Sequence, residues 1–225
     1  DLVRSRGLGD VYKRQSHDTR WAGTLRAAVA AGALLVLLDA DLLVARAVLS
    51  EHDAGWYAFL TVFGRVTFWG TNFIALWVFP HEAARGSAAK ARSYALAAVA
   101  ILGVAACVIA ALFAVPITRA LAGEEYVAAA HFAPLFAVAG SLVAVIQLAT
   151  YVDVARAQHL LSVIAWGGSA VMALIIWFAA PRTIAGAIWS AVLVLAVVAA
   201  AGLVSMRTPR ETAPSRVDAA RSAPR

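Results

Sequence analysis

The chain has 225 residues, 62% of them hydrophobic, a mean hydropathy of +0.78 and only 14% Asp, Glu, Lys and Arg. Soluble domains carry about 25% charged residues. This composition therefore excludes a water-soluble fold, which would lack the polar surface to cover its core, and is that of an integral membrane protein. The net charge of +6 does not mark a nucleic-acid binder, because the arginines lie in loops and tails rather than on a basic face interleaved with aromatics. The single cysteine, Cys107, excludes an internal disulfide.

Residues 1–15, DLVRSRGLGDVYKRQ, are polar and rich in Gly and Arg. They lack the apolar core of a signal peptide. The stretch resembles translated adapter sequence, and the first methionine of the chain is Met172. Residues 1–15 are set apart as a non-native leader. The expectation is that the native start lies upstream and that 16–225 is part of a longer protein.

Six apolar runs follow: Trp21–Leu49 with its apolar core at Ala27–Leu38, then Gly55–Phe79, Tyr94–Val115, Val127–Tyr151, Leu160–Ala180 and Thr183–Ser205. Each is near or above the ~20 residues that cross a hydrocarbon core of ~30 Å. Lipid offers no partner to free backbone groups, so runs of this length are helices. The fold class is all-α, a polytopic bundle of six transmembrane helices over 16–206. Pro80, Pro116 and Pro181 fall at or near run ends, where a missing N–H costs little. Pro134 falls inside the fourth run and predicts a kink or a shorter helix. Residues 207–225, rich in Ala, Pro, Ser and Arg, lack periodicity and are expected to be disordered.

With the start of the first run in the cytoplasm, the inner segments hold Arg20, Arg26, Arg85, Lys90, Arg92, Arg156, Arg207, Arg210, Arg216, Arg221 and Arg225. The outer ones hold Arg46, Arg119 and Arg182. This excess orients both termini to the cytoplasm, in a bacterial cytoplasmic membrane.

The informative stretch is Asp39–Pro80, because it carries charges where a span should have none. Arg65 lies ten residues after Gly55 and Asp39 ten residues before Leu49, both about 15 Å deep at 1.5 Å per residue. Asp41 is about 3 Å shallower. Arg65 is too deep to snorkel easily, so it is expected to pair with Asp39 or Asp41, directly or through water. Intramembrane ionisable groups are functional by default; the competing account is a buried pair that only joins two helices. Thr61, Arg65, Trp69 and Asn72 recur at four, four and three residues, on one helix face. Gln147, Thr150 and Tyr151 form a weaker polar stripe in the fourth run. Asn72 and Gln147 suit substrate contacts or interhelical hydrogen bonds equally. Arg46 shares a face with Asp39 but lies near the outer interface, where charge is cheap. The candidate cavity residues are thus Arg65, Asp39, Asp41, Asn72, Thr61, Trp69, Gln147 and Arg46.

Nothing points to an enzyme. His81-Glu82 is followed by Arg85 where a zinc-binding HExxH helix needs histidine, and no GxSxG elbow or phosphate-cradling glycine loop occurs. No cofactor or metal is expected.

Asp41-Leu42-Leu43, Leu49-Ser50, Ala54-Gly55-Trp56-Tyr57-Ala58 and Phe79-Pro80 together resemble the start of the C-terminal half of polysaccharide (oligosaccharide-lipid) flippases. Lipid II flippases and multidrug exporters belong to the same superfamily. Asp41, Gly55, Tyr57 and Pro80 match the pattern; Asp39 is extra to it. The resemblance covers about 40 residues, and the six-run layout after them agrees with it. It implies one six-helix lobe of a two-lobe transporter, with the first two helices lining a central cavity. It further implies that a polyprenyl-diphosphate-linked saccharide is flipped by alternating access for surface polysaccharide synthesis, with membrane lipid and a missing N-terminal lobe as partners and no nucleic acid. A lipid II flippase or multidrug exporter lobe is the alternative within the superfamily. A self-contained six-span structural or assembly protein is the alternative outside it.

Overall fold

The computed structural model describes residues 2–83, 88–156 and 159–207. Arg85 and the tail from residue 208 lie outside them. The described chain is helical, without a strand, in the order α1 (Leu2–Val48), α2 (Glu51–Ala83), α3 (Ala88–Ala122), a single turn α4 (Glu124–Val127), a 3₁₀ turn (Ala130–Phe132), α5 (Ala133–Ala155), α6 (Leu160–Leu174) closed by a π turn (Ile175–Ala179), and α7 (Ile184–Arg207).

Among the described residues five segments are long and apolar enough to cross a membrane: Ala27–Val48, Arg92–Ala122, Ala130–Ala155, Leu160–Ala179 and Ile184–Arg207. These five make the chain a membrane protein. The expected run Gly55–Phe79 lies in α2, which at 33 residues is long enough to cross; the side chains of Asn72 and of residues 74–79 within it lie outside the described residues.

Local chemistry sets the helix ends. Ser50 Oγ accepts from the Asp53 N–H at 3.1 Å, a side-chain cap on the free donors that begin α2. Gly123, at φ 92° and ψ 177°, takes an extended positive-φ conformation just after α3, open to glycine without a Cβ penalty. Pro134 sits in the first turn of α5, so the fourth run starts its α-helix late rather than kinking midway. Pro116 departs from expectation: it lies inside α3, which continues to Ala122. Only its own missing N–H is forfeited there, and six further residues keep the helix geometry. At the opposite end of the bundle, Arg156 donates to Ser205 O at 3.0 Å and Arg92 to Met206 O at 3.3 Å. These bonds satisfy carbonyls in the last turn of α7 and place positive charge at its negative end. Asp153 Oδ2 accepts the Leu161 N–H at 3.1 Å, capping α6.

The core is built around α5, which packs against α2, α3 and α7. Phe136, Val143 and Ile146 of α5 are buried with Leu60 of α2 and Ile188 of α7. The tightest approach is between Gly64 of α2 and Gly140 of α5. A Cβ on Gly64 would lie 2.8 Å from the Phe136 carbonyl, and one on Gly140 would strike the Gly64 backbone. α1 packs mainly on α6 and touches α2 less. α3 turns Ile101, Val104, Val108 and Leu112 outward, as its unbroken apolar circumference predicts.

Candidate functional site

α1 and α2 form an antiparallel hairpin around Leu49–Ser50, and this hairpin sets the site. Asp39 lies nine residues before the end of α1, about 14 Å along the axis, and Arg65 fourteen residues into α2, about 21 Å. Helical side chains lean toward the N-terminus of their own helix. Asp39 therefore leans away from the turn and Arg65 toward it, and the ~7 Å offset closes. Arg65 Nη2 donates to Asp39 Oδ1 at 2.6 Å.

Asp41 has a different partner. Its carboxylate is 8% exposed and accepts from the Tyr57 hydroxyl at 2.7 Å. Tyr57 is itself fully buried, with its ring edge-on to Phe136 at 4.9 Å. The two acidic groups thus divide: Asp41 is held inside the bundle by a neutral donor, and Asp39 is held at its surface by a charged one. The Asp39 and Arg65 side chains remain 41% and 42% exposed.

Between these pairs lies a small cavity of about 30 Å³, bordered by Asp41, Thr61, Gly64, Arg65 and Gly140. One water needs about 10–15 Å³ of such volume, so there is room for a water or two against the carboxylate. One to two turns further from the Leu49–Ser50 turn, a cleft of about 230 Å³ opens between α1, α2 and α5, lined by Leu34 and Leu38, by Trp69, and by Gln147, Thr150 and Tyr151. Gln147 Nε2 donates to the Tyr151 hydroxyl at 2.7 Å, and the Thr150 hydroxyl is spent on Ile146 O at 2.8 Å. The carbonyl and second N–H of Gln147 and the hydroxyl proton of Tyr151 are left as the groups this cleft can offer a ligand. Trp69 contributes an exposed aromatic surface.

The structure brings Asp41, Thr61 and Arg65 together around one cavity, with Asp39 joined to it through its pair with Arg65, and Trp69 and Gln147 around the adjoining cleft. The shared face of Thr61, Arg65 and Trp69 is a spiral rather than a straight stripe. Four residues advance a helix by 400°, so each step drifts about 40°. Thr61 is accordingly buried and bonded to Ala58 O, Arg65 half-buried, and Trp69 57% exposed. The surroundings of Asn72 lie outside the described residues. Arg46 stays apart: it is exposed, in the last turn of α1, where a cation suits the helix dipole.

Tyr57 was not among the expected cavity residues. Its signal was present in the spacing, since Asp41 lies eight residues before Leu49 and Tyr57 eight after it, which aligns them across an antiparallel hairpin. Among the described residues no three His, Cys, Asp or Glu side chains converge as metal ligands.

Compared with protein-family models, with curated proteins and with solved structures, the chain gives no significant match. The functional reading rests on the residues themselves.

Proposed function

We propose that this chain is one lobe, the C-terminal half, of a flippase that moves a polyprenyl-diphosphate-linked saccharide across the bacterial cytoplasmic membrane by alternating access. In this reading α2 is the sixth crossing, both ends face the cytoplasm, and the α1–α2 face lines a cavity shared with an N-terminal lobe. The observation that carries it is the Asp39–Arg65 pair, at mid-helix and about two-fifths exposed. A charged side chain facing lipid at the bilayer centre costs about 2.5–3.5 kcal/mol even on insertion-based scales. Pairing offsets part of that, but Asp39 engages only one of the five N–H donors of Arg65. A face that keeps both charges half-open belongs against water or another protein unit, not against lipid. The flippase motif supplies the cargo class: a guanidinium with donors to spare suits a diphosphate or an acidic sugar.

The test is translocation of the lipid-linked saccharide by the full-length transporter at matched membrane expression, since a site between two lobes needs both. Arg65→Ala is expected to lower transport at least about tenfold, equivalent to ~1.4 kcal/mol, and Arg65→Lys to retain part of it. Full activity in both variants overturns the proposal.

A further inference from the structure

The side of α2 turned toward α3 has a different character from the side that carries Arg65. Phe59, Val62, Phe63, Val66, Thr67 and Gly70 line a groove of about 390 Å³ between the two helices. Their spacing is 0, 3, 4, 7, 8 and 11, a single helix face. Across the groove α3 presents small residues, Ala105, Ala106 and Ala110, and Ala137 of α5 closes the floor. Where the bulky α2 side chains face these alanines the seam opens into a channel, flanked on α3 by Leu102, Ile109, Ile117 and Leu121.

The groove offers almost no polar surface. The hydroxyls of Thr67 and Thr71 turn back to Phe63 O and Thr67 O, each at 2.8 Å, so both threonines show methyl groups. Its rim is open, with Val66 67%, Ile109 53% and Leu121 71% exposed. The α2 wall from Phe59 to Gly70 is about 17 Å long and the α3 wall from Leu102 to Leu121 about 28 Å at 1.5 Å per residue, so the groove runs past the depth of Arg65 and along more than half of a ~30 Å hydrocarbon core.

We infer that this groove binds one acyl chain of a bilayer phospholipid. A volume of 390 Å³ over about 17–28 Å gives a cross-section of about 14–23 Å², which admits at most one extended hydrocarbon chain. A helix about 10 Å wide needs about 80 Å², so a helix from a second protein does not fit. A polyprenyl chain of many isoprene units is longer than the groove and would leave part of its length outside. α3 and α5, which form two of the walls, are both apolar enough to span the membrane, so hydrocarbon is the medium at the open side. The inference stands whether or not the chain is a flippase lobe.

Gly70 gives the test, because a Cβ there meets nothing within 4 Å. A leucine at this position fills the groove without striking backbone. The protein is reconstituted with a phospholipid carrying a photoreactive diazirine on its acyl chain, irradiated, and its adducts mapped by peptide. Adducts are expected to concentrate in 59–70 and 102–121, and to fall at least about fivefold, or ~1 kcal/mol, in Gly70→Leu. Labelling of the open α6 surface at Val163 and Val171 should stay unchanged in the same sample. Ala106→Phe, from the opposite wall, is the second variant and is expected to act alike; unchanged elution and helicity report that each variant folds. Adducts spread evenly over all exposed apolar faces, adducts indifferent to both variants, or displacement of the probe by an equimolar polyprenyl phosphate would each overturn the inference.

Discussion

A guanidinium near mid-membrane can reach an interface, find a counter-ion, or face water. With α2 as the proposed sixth crossing, Arg65 is too deep for the first; it takes the second with Asp39 at 2.6 Å. Its remaining exposure argues for the third. The pairing shows how far single residues can be read in advance. Depth alone placed Arg65 within reach of two carboxylates and left the choice open. The choice is made by side-chain lean and by Tyr57, whose hydroxyl occupies Asp41. Tyr57→Phe removes that donor and leaves a buried carboxylate without it, a loss expected to cost about 1–2 kcal/mol. Reversible unfolding of the purified chain in mixed detergent micelles measures it. An unchanged midpoint would mean that Asp41 finds another donor, such as water in the adjoining cavity. Arg65→Ala acts elsewhere: because its pair is half-exposed, it should change this stability little and show its effect in transport.

The helices divide into those whose length decides them and those whose packing does. The runs at Tyr94–Val115, Leu160–Ala180 and Thr183–Ser205 were legible because unbroken apolar sequence leaves lipid-facing helix as the available solution. Their ends were less so. Pro116 is carried inside α3 and a π turn closes α6, because a proline or a register slip near a helix end costs few hydrogen bonds and gives a weak signal. α2 mixes its apolar residues with Arg65, Thr61, Thr67 and Thr71, and packs on α5 through Gly64. The contact between Gly64 and Gly140 is a tertiary fact that no local pattern contains. Gly140→Ala drives a methyl into the Gly64 backbone, so α2 and α5 must separate. The expected loss is about 1–3 kcal/mol, as for overpacking elsewhere. Gly167→Ala, where a Cβ meets nothing within 4 Å, should be neutral or stabilising by up to ~1 kcal/mol through helix propensity. Equal effects of the two substitutions in the same unfolding assay would remove the helix-crossing argument.

At the scale of the whole molecule, the surface divides by chemistry. The outer face of α3 and the open side of its groove are apolar and suit lipid. The α1–α2 face carries Asp39, Arg65 and the cleft of Trp69 and Gln147, and does not. Composition established that the chain is embedded in the membrane, and charge placement indicated which stretch matters. That these charges lie at the surface of the bundle, rather than sealed inside it, depends on how α1 leans on α6 and could not be read from spacing. The central claim is that this face meets water. Because Cys107 is the only cysteine, Cys107→Ser gives a clean background for single cysteines at Asp39, at Trp69, and at Val108 on the α3 face. With the protein in its native membrane, a water-soluble maleimide that can enter from either side should label positions 39 and 69 and leave 108 unreacted. Reaction at 39 and 69 as slow as at 108 would place the α1–α2 face in lipid or in a dry interface, and would contradict the account.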